Sequence, residues 1–192
     1  NKNLNLSFKL IISTIPIIII GYFFGKTFNY DNDFLLLIIG VSSIVFGIIL
    51  FILDKFCLLI RNEESMNYKF ALFTGFVQCF ALIPGVSRAG ANMIALRAIG
   101  FNRNFTVKYS NLLSIPVILG AAIYLFVNEN NNLYFDDTFN LTVISVFVLS
   151  FLFSIIFIHF LISWVRRSSL LIFILYRIVF GTFLIFLFYF EL

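Results

Sequence analysis

The stretch "LIPGVSRAGANM", Leu82 to Met93, decides how this chain is built. It interrupts a sequence otherwise dominated by isoleucine, leucine and phenylalanine. Pro84 has no backbone N–H to give and ends a helix, while Gly85 accepts backbone angles that other residues avoid, so the chain can turn there. Ser87 is then placed as the N-cap of a second helix. Upstream, Tyr68 to Ile83 is apolar; downstream, Ser87 to Ile99 is rich in small residues (Ala89, Gly90, Ala91, Ala95, Ala98). A helix that crosses a bilayer needs about 20 mainly apolar residues. Each half is shorter than that, so the pattern predicts a re-entrant helix-break-helix hairpin over about residues 68–99.

The remainder of the chain supplies the membrane. Of the 192 residues, 61% are hydrophobic and 11% charged, with a mean hydropathy of +1.06. Soluble domains carry roughly half apolar and a quarter charged residues, so the chain is an integral membrane protein. Five segments are long enough to span: Phe8 to Phe24, Phe34 to Leu53, Asn111 to Val127, Leu141 to Val165 and Leu170 to Phe190. The fold class is therefore all-α, with about five transmembrane helices plus the hairpin, in a single membrane domain over residues 1–192. With 28 phenylalanines, aromatic residues are background and no single one is read as functional. Cys57, Cys79 and His159 lie apart, without metal-ligand or disulfide spacing. A weak internal echo links "STIPIIIIGYFF" with "LLSIPVILGAAIYLF".

Basic residues orient membrane proteins toward the cytoplasm, whereas acidic ones count for little. With the hairpin returning to its own side, Lys2, Lys9, Lys55, Arg61, Lys69, Arg97, Arg103, Lys108, Arg166 and Arg167 all fall on one side. Only Lys26 falls on the other, and Arg88 and Arg177 stay within the membrane. A single crossing over 68–99 would place both the Arg103 and the Arg166–Arg167 loops on the wrong side, away from the other basic residues, so the charges require the hairpin.

An ionisable residue at membrane depth signals function, and irregular backbone survives there only inside protein or beside a wet cavity. Arg88 meets both conditions. The start of the second half-helix offers unpaired N–H groups and the positive end of a dipole, and a guanidinium can grip phosphate oxygens in parallel. Ser87 and Arg88 are the candidate catalytic residues, with Gly85, Ala89, Gly90, Ala91, Asn92 and Gln78 as candidate substrate-binding positions; the Gly90 and Ala91 N–H groups complete the expected cradle. Arg177, in "LYRIVFG", lacks such surroundings in the sequence and suits packing or a lipid headgroup at least as well. No metal ligand is readable. Every acidic residue, Asp54 included, is expected in a loop or at a terminus, so the anion site lacks a base.

"GFVQCFALIPGVSRAGANM", followed by "KYSNLLSIPVILGAAIYL" and "LYRIVFG", resembles the undecaprenyl-diphosphate phosphatase family, the bacitracin-resistance type of membrane phosphatase, over nearly the whole chain. The resemblance implies hydrolysis of undecaprenyl diphosphate to undecaprenyl phosphate and inorganic phosphate, recycling the lipid carrier for peptidoglycan synthesis in the bacterial inner membrane. It implies an inverted-repeat fold of which this chain is the C-terminal portion, and a divalent cation (Mg or Ca) whose ligands are not identifiable here. The implied partners are a polyprenyl diphosphate lipid and membrane lipids, without nucleic acid; a homodimer is left open. Ala89 stands where the family usually has serine, and Asn92 where it usually has threonine. The family's first hairpin, with paired glutamates and a histidine, is not found, which predicts an N-terminally truncated sequence. A flippase or transporter of an anionic polyprenyl lipid, or an inactive fragment, are the competing readings.

Overall fold

The computed structural model describes residues 2–27, 32–128, 141–167 and 169–191. Among them are seven α-helices and no strand: α1 (Lys2–Thr27), α2 (Asn32–Phe56), α3 (Tyr68–Gln78), α4 (Arg88–Ile99), α5 (Arg103–Asn128), α6 (Leu141–Arg167) and α7 (Leu171–Glu191). α1, α2, α5, α6 and α7 are each long and apolar enough to cross a membrane, as the sequence predicts. The expected outer loops fall mainly on residues 28–31 and 129–140, outside the described ones. α5 starts earlier than its apolar run does. Asn102 caps it, accepting from Phe105 N at 2.8 Å, so the polar turn Arg103 to Ser110 is already helical.

The hairpin is present. α3 has 11 residues and α4 has 12; at 1.5 Å per residue each rises about 17 Å, near half the ~30 Å hydrocarbon core. Asn67 caps α3 by accepting from Phe70 N. α4 ends at Gly100, whose φ of +95° closes the helix through bonds from Gly100 N to Arg97 O and from Phe101 N to Leu96 O. This left-handed closure favours glycine. Both hairpin ends lie at the same end of the bundle. Lys9 Nζ donates to Met66 O at 2.6 Å beside the start of α3, and Arg61 Nη1 donates to Ile99 O at 2.6 Å at the end of α4. A buried hydroxyl network adds α1 and α5: Ser13 Oγ donates to Ala71 O and pairs with Tyr109 Oη, both at 2.7 Å.

α2 and α7 form the most extensive helix pair. They run antiparallel, because Gly40 meets Gly181 and Ile185 while Gly47 meets Ile174, Arg177 and Ile178. The pair is internally symmetric. Each helix carries the tetrapeptide Ile-Val-Phe-Gly, at Ile44 to Gly47 and at Ile178 to Gly181. Gly47 faces Ile178 and the carbonyl of Ile174; Gly181 faces Ile44 and the carbonyl of Gly40. Ser43 and Arg177 occupy equivalent positions, and they bond reciprocally, Ser43 Oγ to Arg177 O at 3.2 Å and Arg177 Nε to Ser43 O at 3.4 Å. These contacts are those of an inverted repeat whose axis passes between the two helices. They are a stronger internal echo than the α1 and α5 segments. The crossing is tight: a Cβ at Gly181 would sit 2.7 Å from Gly40 O.

One carboxylate departs from expectation. Asp54 is in the last turn of α2, buried, and not in a loop. Its Oδ1 accepts from Arg97 Nε at 3.1 Å and Arg103 Nε at 2.8 Å. Arg97, counted by sequence among the cations on the basic side, is fully buried. It closes α2 by donating from Nη2 to the carbonyls of Leu53, Asp54 and Cys57, and it donates from Nη1 to Phe101 O. A guanidinium with several donors in a fixed fork can satisfy orphan helix carbonyls in this way.

Candidate functional site

The break between α3 and α4 is built by small residues pressed against α2. α3 gives way to a 3-10 turn over Cys79–Leu82, so the α-helix ends before Pro84 is reached. Gly85 has a φ of +89°, and a Cβ there would collide with Ser42 Oγ and the backbone of Ile39. Ser42 Oγ donates to Pro84 O at 2.6 Å and pins the turn to α2. Ser87 is the N-cap of α4, as its sequence position predicts, and its Oγ accepts from Gly90 N at 3.2 Å.

The expected cradle needs correction at two donors. Gly90 N is used by Ser87 Oγ, and Ala91 N donates to Ser87 O at 2.9 Å. The cap and the first helical bond consume the N–H groups assigned by sequence to the anion. The orphan donors of this helix start are those of Arg88 and Ala89. Ala91 and Asn92 are fully buried, as is Gln78 at the end of α3. Neither the Asn92 nor the Gln78 amide has a hydrogen-bond partner among the described residues. Such orphaned amides cost roughly 1–3 kcal/mol each. Asn92 therefore sits at the site's inner wall and does not reach the surface with Arg88.

Arg88 is exposed and faces a cleft of about 400 Å³ between α1 and α5. The walls are apolar or small, among them Ile17, Gly21, Leu82, Val117 and Gly120, with Tyr22 and Tyr124 packed edge to face at a ring separation of 6.0 Å. Arg88 is the one charged residue lining the cleft among the described residues.

The structure adds a residue that sequence reasoning set aside. Arg177 of α7 is buried and reaches the hairpin break, donating from Nη2 to Gly85 O at 2.8 Å. Its Nη1 is buried without a partner among the described residues. That nitrogen lies beside the first turn of α4, where a Cβ at Gly90 would be only 2.5 Å away. Arg88 and Gly90 are two residues apart on a helix, about 200° around its axis. The two arginines therefore flank the start of α4 from opposite sides. The sequence signals for Arg177 are an ionisable group inside a span and its place in the motif "LYRIVFG" that carries part of the resemblance.

Acid–base groups are scarce here. The described residues contain no cluster of three or more His, Cys, Asp or Glu able to hold a metal. Asp54 is committed to Arg97 and Arg103 at the far end of α4, nine residues from Arg88 in the case of Arg97. The site presents two guanidinium groups and has no carboxylate of its own among the described residues.

Residues 1–183 match the family described as "Bacitracin resistance protein BacA". Proteins named undecaprenyl-diphosphatase are similar over most of the chain. That of Pelagibacter ubique is 37% identical over 191 residues, covering 98% of this chain and 73% of the relative. Those of Aliivibrio salmonicida and Psychrobacter cryohalolentis are 34% and 32% identical, covering 95% and 92% of this chain. The chain spans 67% and 63% of those two relatives' own lengths.

Proposed function

This chain belongs to the bacitracin resistance protein BacA family, and on that premise we propose that it is a multi-pass membrane enzyme hydrolysing undecaprenyl diphosphate to undecaprenyl phosphate and inorganic phosphate. The observation that carries the reading is the orphaned Nη1 of Arg177 beside the N-terminus of α4, with Arg88 on the other flank. A buried guanidinium nitrogen left unpaired is costly, and a diphosphate oxygen would complete it. Both arginines and the Arg88 and Ala89 N–H groups then face the charge that grows on the phosphoryl oxygens as the bridging P–O bond breaks. Ser87 holds those N–H groups in place through its cap. The apolar cleft leading away from Arg88 accepts the first isoprenoid units, and the rest of the tail lies in the bilayer.

The relatives named undecaprenyl-diphosphatase favour hydrolysis over transport of an anionic polyprenyl lipid. By the distribution of lysine and arginine, the end carrying Lys55, Arg61, Arg97 and Arg103 faces the cytoplasm of a bacterial inner membrane. The divalent cation that the family resemblance implies finds no ligand set among the described residues, and no step is assigned to it. The nucleophile and base are likewise not assigned to residues of this chain. In detergent, phosphate release from undecaprenyl diphosphate should fall about 100- to 1000-fold in Arg88→Ala, the loss typical of a transition-state charge donor. Turnover equal to wild type in that variant would remove Arg88 from the site.

A further inference from the structure

At the end of the bundle where the hairpin enters, the last turn of α2 and the first turns of α5 and α7 enclose a second pocket, of about 310 Å³. Its walls include Asp54, Lys55, Arg103, Ser169, Phe51 and Leu171. The charges there do not balance. Arg97, Arg103 and Lys55 meet the single carboxylate of Asp54, a surplus of two positive charges among these described side chains. Arg97 is saturated by Asp54 and backbone carbonyls. Arg103, which lines the pocket, uses Nε and Nη2 on Asp54, which leaves Nη1 without a partner among the described residues. Lys55 has neither a hydrogen bond nor an ion pair among the described residues; its Nζ lies 5.6 Å from the ring centres of Phe51 and Phe56. Phe51 and Leu171 are exposed, 37% and 44%, so beyond the two cations the pocket offers apolar surface.

We propose that this pocket binds the phosphate of an anionic phospholipid from the surrounding bilayer, between Arg103 Nη1 and Lys55 Nζ, with an acyl chain against Phe51 and Leu171. The helix ends that form it are also ends of three spanning helices, which places it at headgroup depth. Basic pockets between such helices capture anionic headgroups, and lysine and arginine at the membrane surface attract them. The apolar wall selects a lipid over free phosphate, which has no use for it. The site is separate from the hairpin break and does not depend on the phosphatase reading.

The test is thermal unfolding of the purified protein in mixed micelles of neutral detergent with phosphatidylglycerol, phosphatidylcholine or inorganic phosphate. Phosphatidylglycerol at ten times its dissociation constant should raise the midpoint by about 4 °C, with neither of the others doing so. Lys55→Glu should abolish the rise, and Arg103→Lys, which keeps the charge but loses the fork, should shrink it. Lys69→Glu makes the same charge change at an exposed position on α3 and should leave the rise intact. Equal loss in Lys55→Glu and Lys69→Glu would show a diffuse surface field and overturn the site. An equal rise with inorganic phosphate would overturn the lipid assignment. If Lys55→Glu unfolds before titration, Lys55→Gln supplies the comparison, and an undiminished rise in it refutes the proposal.

Discussion

Gly90→Ala separates the positioning of Arg177 from the stability of the fold. The new Cβ would lie 2.5 Å from Arg177 Nη1 and 3.4 Å from Ser87 Cβ, and ordinary van der Waals contact begins near 3.4 Å. The serine contact is tolerable; the guanidinium must retreat by about 1 Å, the scale of misplacement that costs roughly 100-fold in rate. Stability moves little by comparison. Replacing a helical glycine gains about 0.5–1 kcal/mol. Losing the Arg177 to Gly85 O hydrogen bond would cost about 1.5–3 kcal/mol, but the flexible side chain can pivot on it. The net therefore lies between a gain of about 1 and a loss of about 2.5 kcal/mol, and the protein remains folded. Phosphate release and a thermal melt on the same preparation give both quantities. In an Arg177→Gln background the alanine should add less than a threefold further loss, because the group it displaces is gone. Gly90→Ala hydrolysing within threefold of wild type, with a normal melt, would refute the placement of Nη1 on the substrate phosphate.

Four further outcomes follow from packing and charge. Asp54→Asn leaves the fully buried Arg97 without its counter-charge and should cost about 3–5 kcal/mol in a melt. Glu63→Gln, whose partner Lys108 is half-exposed, should change stability by less than about 0.5 kcal/mol. Gly100→Ala forces a residue with Cβ to a φ of +95° against Leu58 O at 3.3 Å; it should destabilise by about 1–3 kcal/mol, measured the same way, with loss of the α4 to α5 turn. Gly120→Leu projects into the cleft beside Arg88, where the nearest atoms to a Cβ are those of Ile18 at 3.7 Å. It should raise KM for undecaprenyl diphosphate about 10- to 100-fold with kcat largely kept, the pattern of lost uniform binding.

The spans, the hairpin and the Ser87 cap were legible because each is local: run length sets a crossing, and Pro84, Gly85 and Ser87 specify the break through their own backbones. The start of α5 was misplaced because hydropathy ignores a capping asparagine at 102. The cradle donors were misassigned for a related reason. A serine that caps a helix takes one of the N–H groups it is credited with presenting, and its carbonyl takes the next, so sequence alone overcounts the free donors at a capped helix start. Asp54 was read as a loop residue because a charge at the end of an apolar run looks like the boundary itself. Its burial depends on Arg97, 43 residues later.

Arg177 was illegible for a different reason. Nothing within a helical turn of it marks an anion site, and the residue it touches at the break, Gly85, is 92 positions away. Two separate conditions bring them together: a close crossing of α2 and α7, and a turn narrow enough to reach that crossing. The first rests on Gly40 and Gly181, where a Cβ would come within 2.7 Å of the opposite helix, with Gly47 in ordinary contact beside them. The second rests on Gly85, whose missing Cβ lets the break lie against Ile39 and Ser42 of α2. The repeat symmetry then makes the two helices unequal at one pair of positions. Ser43 and Arg177 are equivalent, yet only the α7 position carries a cation, and it is directed at the hairpin that this chain supplies. An inverted repeat with arginine at both positions would bury two like charges at the axis, which desolvation and repulsion disfavour. The asymmetry of serine and arginine is thus what allows a symmetric helix pair to place one guanidinium at one helix terminus.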